Sequence, residues 1–192
     1  LSFFRHYPGI RVANNRKFFL EFWMSNDEKV VNGLKAWLKE RGPNDWHEVA
    51  NAYNWDREIA PLVWIVSQPT CDRATAATLF WRSSPGDAVF FNSLEDAKKG
   101  YNASGYQITK AILDRLKQGG YSRREIAYKG TSFCTETEWL DFTTQKGKTI
   151  TLPAWLWKER QGLDLSRIRY TEGLPRPMVE WVWPDWPDGW GD

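Results

Sequence analysis

A chain of 192 residues with 42% hydrophobic and 26% charged residues has the composition of one globular domain, or of a domain with an appendage. Its formal net charge of +2 is too small to indicate the basic surface that nucleic-acid binding requires, so no nucleic-acid partner is predicted. The unusual feature is the aromatic share of 16%, with 13 tryptophans, which predicts a core built largely from rings.

Cysteine content and hydropathy restrict the class of protein further. Cys71 and Cys134 are the only cysteines, so the sequence offers neither a disulfide framework nor a paired-cysteine metal site. The most apolar early stretch, residues 18–24, contains a glutamate and is too short to span a membrane. These features predict a cytoplasmic protein with no membrane partner, no metal and no other cofactor.

The first predicted helix follows a segment, residues 1–24, that shows no hydrophobic period and is predicted to be irregular. Ser25 and Glu28 have the spacing of a capping box, and the apolar residues after them recur at helical intervals. Gly42 and Pro43 are typical helix-stop signals. The sequence therefore predicts a helix from Ser25 to the residues just before Gly42.

Three shorter helices are predicted next, each opened by a polar residue that can accept hydrogen bonds from its first turn. These predicted N-caps are Asn44, Asp56 and Asp72. Pro61 falls near the start of the second of these helices, where a missing amide hydrogen costs little. The third is predicted to run from Arg73 to Trp81.

Four tryptophans, Trp37, Trp46, Trp55 and Trp64, are spaced nine residues apart. Nine residues reverse the face of both an α-helix and a β-strand, so no single element can present these indoles together. We therefore predict that they lie on consecutive short helices that turn back on one another, and that the spacing is not a repeat.

The second half of the chain predicts two helices, at 93–100 and 104–118, followed by a change of character. Residues 124–153 alternate apolar and polar side chains and are rich in threonine, which predicts two or three strands with a hairpin turn at 146–148. A short helix is predicted at 155–160. The tail, residues 178–192, mixes tryptophans with prolines and is predicted not to form a regular helix.

Together these elements predict a mainly α fold of the α+β class. A compact, Trp-rich helical domain of short helices is expected over residues 25–120, after the irregular segment 1–24. A small antiparallel β element is expected within an otherwise irregular C-terminal region, residues 121–192, packed on the helical domain.

A string of short motifs lies within residues 34–100. They are Trp46-His47, Asn54-Trp55-Asp56, Cys71-Asp72, Thr75-Ala76 and Phe80-Trp81. This pattern resembles the bacterial domain-of-unknown-function family numbered 4274. The resemblance implies a small helical bacterial domain without an assigned activity, and it supplies no catalytic residues.

One group of residues, His47, Glu48, Asp56, Cys71 and Asp72, has catalytic or metal-ligating character. His47, Asp56 and Asp72 could gather around a metal or a polarised water, or Cys71 could act as a nucleophile with His47. The favoured interpretation is structural, with both aspartates as helix caps and Cys71 as a small buried side chain.

A second carboxylate pair, Glu136 and Glu138, would share one face of the predicted strand. Such pairs can divide acid and base roles in glycoside hydrolysis. We interpret this one instead as the solvent face of an edge strand, because alternating threonine and glutamate is ordinary there.

The tail tryptophans Trp181, Trp183, Trp186 and Trp190 are the predicted binding residues. Exposed indoles anchor protein interfaces or stack on sugars, although the tail could also fold back over the helices. The leading hypothesis is a non-enzymatic bacterial protein-binding protein, in one form an immunity-type protein that neutralises a toxin. The alternatives are a metal-dependent or thiol hydrolase using the group around His47, and carbohydrate binding through the tail.

Overall fold

The computed structural model describes residues 16–165 and 170–182, with only the backbone described for residues 16–27 and Trp181. Over these residues the chain is mainly helical, which confirms that part of the predicted class, but it forms no β-strand, so the α+β part is not confirmed. The helices are α1 (Arg16–Lys39), α2 (Pro43–Ala52), α3 (Ala60–Ser67), α4 (Arg73–Arg82), α5 (Pro85–Ala88), α6 (Leu94–Lys99), α7 (Ala103–Lys117), α8 (Glu136–Gln145), the 3₁₀ turn Ala154–Leu156, and α9 (Arg176–Val182).

Helix α1 begins at Arg16, so the predicted start at Ser25 is wrong, and residues 16–24 are helical where an irregular segment was predicted. This stretch contains neither glycine nor proline, and nothing in it interrupts a helix. The spacing of Ser25 and Glu28 also occurs inside helices, where it caps nothing. Residues 1–15 of the predicted irregular segment lie outside the described residues.

The predicted N-caps have different outcomes. Asp72 caps α4 as predicted, accepting a hydrogen bond from the Ala74 amide at 2.8 Å. Asn44 does not cap α2, because that helix already begins at Pro43, whose fixed φ suits a first turn. Asp56 lies in a turn before α3, whose N-cap is Ile59. The two helices predicted at 93–100 and 104–118 are present as α6 and α7.

The predicted antiparallel β element is wrong, because the centre of the proposed strand region is helix α8. Thr135 and Glu138 form a complete capping box: the Thr135 hydroxyl accepts from the Glu138 amide at 3.2 Å, and the Glu138 carboxylate accepts from the Thr135 amide at 2.7 Å. This local signal prevails over the apolar–polar alternation. Glu136 and Glu138 therefore lie in the first turn of a helix, not on an edge strand.

The remainder of that region also departs from the prediction. Residues 146–148 end α8 in place of a hairpin, with the Lys148 amide donating to the Thr143 carbonyl at 2.9 Å and Gly147 at φ +81°. Isolated backbone bridges join Ile126 to Leu163 and Tyr128 to Arg160. They tie irregular segments together without building a strand in the described part of the chain.

We expect Thr135→Ala to lower the free energy of unfolding by about 1 kcal/mol, because the Glu138 amide loses the hydroxyl to which it donates, while the backbone amide of residue 135 can still donate to Glu138. Urea denaturation measures this change. Thr151→Ala is the matched control, since Thr151 is exposed and its side chain caps no helix. Equal stability of the two variants would contradict the role of the box.

Near the C-terminus, a short helix predicted at 155–160 is reduced to the 3₁₀ turn Ala154–Leu156. Residues 178–182, predicted not to be regular helix, belong to α9, which ends before the first proline of the tail at Pro184. Residues 183–192 lie outside the described residues. Among those that are described, no helix combines the length and apolar character needed to cross a bilayer.

One hydrophobic core draws on helices and irregular segments from both sides of the predicted boundary at residue 120. Its fully buried side chains include Leu34, Leu38, Leu62, Ile65, Phe80, Ile108, Ile112, Ile126, Leu156 and Leu174. Residues after 120 therefore contribute to the same apolar cluster as the helices before it.

The regularly spaced tryptophans lie on successive elements, as predicted, except that Trp55 follows α2 in a loop. Trp46 and Trp64 meet edge to face with ring centroids 5.3 Å apart. Trp37 instead contacts Tyr170, at 5.6 Å. The four indoles therefore share one core without forming a single cluster.

Candidate functional site

The Asp72 carboxylate is fully buried where α4 meets the C-terminal region. Its Oδ1 accepts from the Ala74 amide and from the Arg160 guanidinium, each at 2.8 Å. Its Oδ2 accepts from the amides of Glu125 at 2.7 Å and Ile126 at 3.3 Å. Because each oxygen accepts two hydrogen bonds, the carboxylate has no lone pair left for a metal or a substrate.

Two arginines that sequence reasoning missed surround this carboxylate. Arg160 also donates to the Ile126 carbonyl at 2.8 Å, and Arg123 places its Nε 3.8 Å from Asp72 Oδ2 while pairing with Glu125 at 2.7 Å. A buried carboxylate needs such partners. The sequence could therefore have indicated that Asp72 needs a cation, but not which residue supplies it. Asp72 therefore joins α4 to residues 123–160, and we call this set of contacts the junction.

Cys71 lies beside this junction and is also fully buried. Burial raises the pKa of its thiol, and the neighbouring Asp72 carboxylate raises it further. The thiol donates to the Asp72 carbonyl at 3.6 Å. A nucleophilic cysteine requires the opposite shift, towards a stable thiolate, so this environment does not activate Cys71.

His47 is buried on α2, and its Nδ1 is hydrogen-bonded to the Thr75 hydroxyl at 3.0 Å. Burial lowers the pKa of His47 from 6.5 to about 4; Asp72 opposes this shift and Arg160 adds to it. The imidazole is therefore neutral at physiological pH. This contact also gives Thr75, one of the motif residues, a structural role.

The free energy of unfolding should fall as the pH drops from 6.5 towards 4, because the unfolded chain protonates His47 before the folded one does. We expect this histidine to account for a loss of about 2 kcal/mol between about pH 7 and about pH 5. Urea denaturation of the parent and of His47→Gln at both pH values checks this. An unchanged pH dependence in the variant would contradict it.

The motif Asn54-Trp55-Asp56 lies against the turn at residues 171–174. The Asn54 side chain accepts from the Asp56 amide at 2.9 Å and donates to the Glu172 carboxylate at 3.2 Å. Gly173, at φ +77°, approaches Tyr53 so closely that a Cβ would lie 2.8 Å from its ring. Asp56 itself is exposed. Its backbone amide donates to the Asn54 side chain within a turn that contacts residues 171–174.

The structure thus gives His47, Asp56 and Asp72 different hydrogen-bond partners, although His47 and Asp72 are near enough to interact electrostatically. Among the side chains described, no group of three or more histidine, cysteine, aspartate or glutamate residues could hold a metal ion. The tail tryptophans remain a prediction. Trp181 lies in α9 with its side chain undescribed, and Trp183, Trp186 and Trp190 fall in residues 183–192.

An apolar cleft of about 440 Å³ opens between α5 and α8, and we call it the aromatic cleft. Its lining includes Trp81, Pro85, Trp139 and Phe142, with Phe133 at the start of its α8 side. Phe133 is 71% exposed, although most large apolar side chains of the described chain are buried. Sequence reasoning missed this surface because it assigned Phe133 and Trp139 to a strand.

A second cleft, of about 360 Å³, is lined by several polar and charged residues together with apolar ones, and we call it the polar cleft. Helix α2 contributes His47, Glu48 and Asn51 on one face, and α4 contributes Thr78. The segments 127–130 and 164–165 form the facing wall. The two clefts share no lining residue.

Comparison with known protein families gives a match over part of the chain. Residues 41–118 match the model of the family described as "Domain of unknown function (DUF4274)", which confirms the resemblance indicated by the motifs. No curated protein and no solved structure shows significant similarity to the chain. The match spans α2 to α7, together with Asn54, Asp72 and Thr75, whereas Arg160 and α8 lie beyond it.

Proposed function

We propose, from the premise that residues 41–118 match a family of unknown function, that this chain is a non-enzymatic protein-binding protein. In its concrete form it is an immunity-type protein that neutralises a cognate toxin in the bacterial cytoplasm. The supporting observation is the aromatic cleft, with Phe133 71% exposed beside it. An open apolar surface of this kind is typical of sites where proteins bind one another.

The floor of the aromatic cleft is rigid, because its two tryptophans, Trp81 and Trp139, are largely buried and hydrogen-bonded. The Trp81 indole donates to the Leu156 carbonyl at 2.7 Å, and the Trp139 indole donates to the Ile150 carbonyl at 2.8 Å. Their rings pack edge to face at 5.9 Å. Both indoles are therefore fixed before a partner arrives, so binding costs little side-chain entropy at this surface.

Phe133 differs from these fixed rings because most of its surface contacts solvent. An aromatic side chain that inserts into a partner's pocket can contribute 2 kcal/mol or more, since its whole apolar area then leaves water. A fixed floor with a protruding ring beside it is an arrangement that a complementary protein surface can enclose. The choice of a toxin as partner is an argument by association, from small domains without assigned chemistry.

Co-expression with the product of the adjacent gene, followed by co-purification and calorimetry, tests the proposal. We expect Phe133→Ser to weaken binding by about 30-fold and to reduce protection of cells against that product. Tyr101→Ser is the matched control, because Tyr101 is 99% exposed and lines neither cleft.

Both substitutions remove an exposed ring, so neither should change the free energy of unfolding by more than about 0.5 kcal/mol. Equal affinities for Phe133→Ser and Tyr101→Ser would contradict the cleft as the binding surface. Cells that gain no protection from the unaltered chain would contradict toxin neutralisation itself.

A further inference from the structure

The polar cleft presents several hydrogen-bonding groups that the fold leaves unused. His47 is only 6% exposed and lines the cleft, yet its second ring nitrogen, Nε2, bonds to no side chain or backbone group that the structure describes. The same holds for the Asn51 amide and the Thr78 hydroxyl, within the described residues. None of these three groups is among the buried side-chain atoms left without a partner, so solvent reaches them and a ligand could replace that water.

These groups are held in fixed positions by contacts elsewhere. The Nδ1 bond to Thr75 orients the His47 ring, and Arg82 donates to the Asn51 carbonyl at the end of α2. Tyr128 supplies an aromatic ring to the facing wall, and its hydroxyl is engaged with the Leu156 carbonyl at 3.0 Å. Donors and acceptors therefore project from two helices towards one volume beside a ring.

The charges of the lining restrict the ligand. Among the described lining residues, Lys129 is the cation, and Glu48 and Asp164 are carboxylates that already have interaction partners. His47 adds no positive charge at neutral pH, because burial lowers its pKa to about 4. These described residues offer an anion such as phosphate a single cation, Lys129, beside two carboxylates. An uncharged ligand can still use amide, hydroxyl and imidazole groups, each of which can donate or accept.

We propose that the polar cleft binds one uncharged, hydroxyl-rich small molecule of monosaccharide size. The cleft volume of about 360 Å³ is within the range of small-molecule sites. His47 Nε2, the Asn51 amide and the Thr78 hydroxyl bind hydroxyl groups of the ligand, and the Tyr128 ring contacts its apolar face. This site is independent of the protein-binding surface.

Titration of the ¹⁵N-labelled chain with glucose, galactose, mannose or N-acetylglucosamine tests the proposal, with inorganic phosphate and arginine as charged probes. We expect saturable shifts at the Asn51 side-chain amide and the Gly130 amide for at least one sugar, with a Kd on the order of 1 mM. Neither charged probe should saturate these signals.

The isosteric variant Thr78→Val should weaken sugar binding by about 5- to 10-fold, because one hydrogen bond is lost while the shape is kept. Thr151→Val, outside the cleft, is the matched control and should bind like the parent. Phe133→Ser should also bind the sugar normally, which separates this site from the aromatic cleft. Saturation by phosphate or arginine alone, no saturation by any sugar, or unchanged affinity in Thr78→Val would overturn the assignment.

Discussion

Replacing Trp81 by alanine should lower the free energy of unfolding by about 4 kcal/mol, a loss typical of truncating a buried tryptophan. Trp81 is 5% exposed and its ring contacts Trp139 and Trp157, with centroids 5.9 and 5.7 Å away. Truncation would leave a cavity beside both indoles. It would also leave the Leu156 carbonyl without the hydrogen bond that it accepts from Trp81.

The variant Trp81→Phe separates these effects, because it keeps most of the apolar ring and removes only the indole N–H donor. We expect it to cost less than half as much as Trp81→Ala, with about 1 kcal/mol from the lost indole hydrogen bond, because the Leu156 carbonyl still accepts from the Tyr128 hydroxyl. Guanidinium denaturation monitored by far-UV circular dichroism measures both. A loss below about 1 kcal/mol for Trp81→Ala would show that this ring does not hold α4 against the C-terminal region.

Asp72→Ala should be the other severe substitution, with an expected loss of about 3–5 kcal/mol. Removing the carboxylate takes away the acceptor to which the Arg160 guanidinium donates. The amides of Ala74, Glu125 and Ile126 lose the same acceptor. Donors left without an acceptor lower the free energy of unfolding by more than the lost bonds alone, because they were desolvated when the chain folded. Asp56→Ala is the matched control: Asp56 is exposed, and we expect a change within about 0.5 kcal/mol.

A double-mutant cycle isolates the ion pair within this loss. Arg160→Met keeps an apolar stem but removes the cation, so the penalties of the single variants should partly cancel in the pair. We expect a coupling of about 1–3 kcal/mol between Asp72 and Arg160. Additive losses of stability would contradict an interaction between Asp72 and Arg160. If Asp72→Ala does not fold, the stability of Arg160→Met alone can still be measured.

Local signals in the sequence predicted helices whose N-cap side chains bond only to amides a few residues away. Asp72 caps α4 through an amide two residues away, and Ser93 caps α6 through the Asp96 amide. Thr135 and Glu138 carry the same kind of signal for α8. That helix was missed because the alternation around it was given more weight than the capping box.

Long-range contacts explain most of the rest. Asp72 could be predicted as a helix cap, but its pairing with Arg160 joins residues 88 positions apart and has no local signature. The aromatic cleft has the same origin, because Trp81 and Phe133 come together only after α8 packs against α4. The sequence showed an excess of rings, and the fold decided which rings are buried and which ones a partner can reach.

Hydrogen–deuterium exchange on the complex with the co-purified partner tests most directly whether the aromatic cleft is the binding surface. We predict that binding slows exchange of backbone amides at residues 133–142 and 84–88, which surround the cleft, and leaves residues 94–99 of α6 unchanged. Slower exchange confined to other segments, with residues 133–142 unaffected by the partner, would contradict the account.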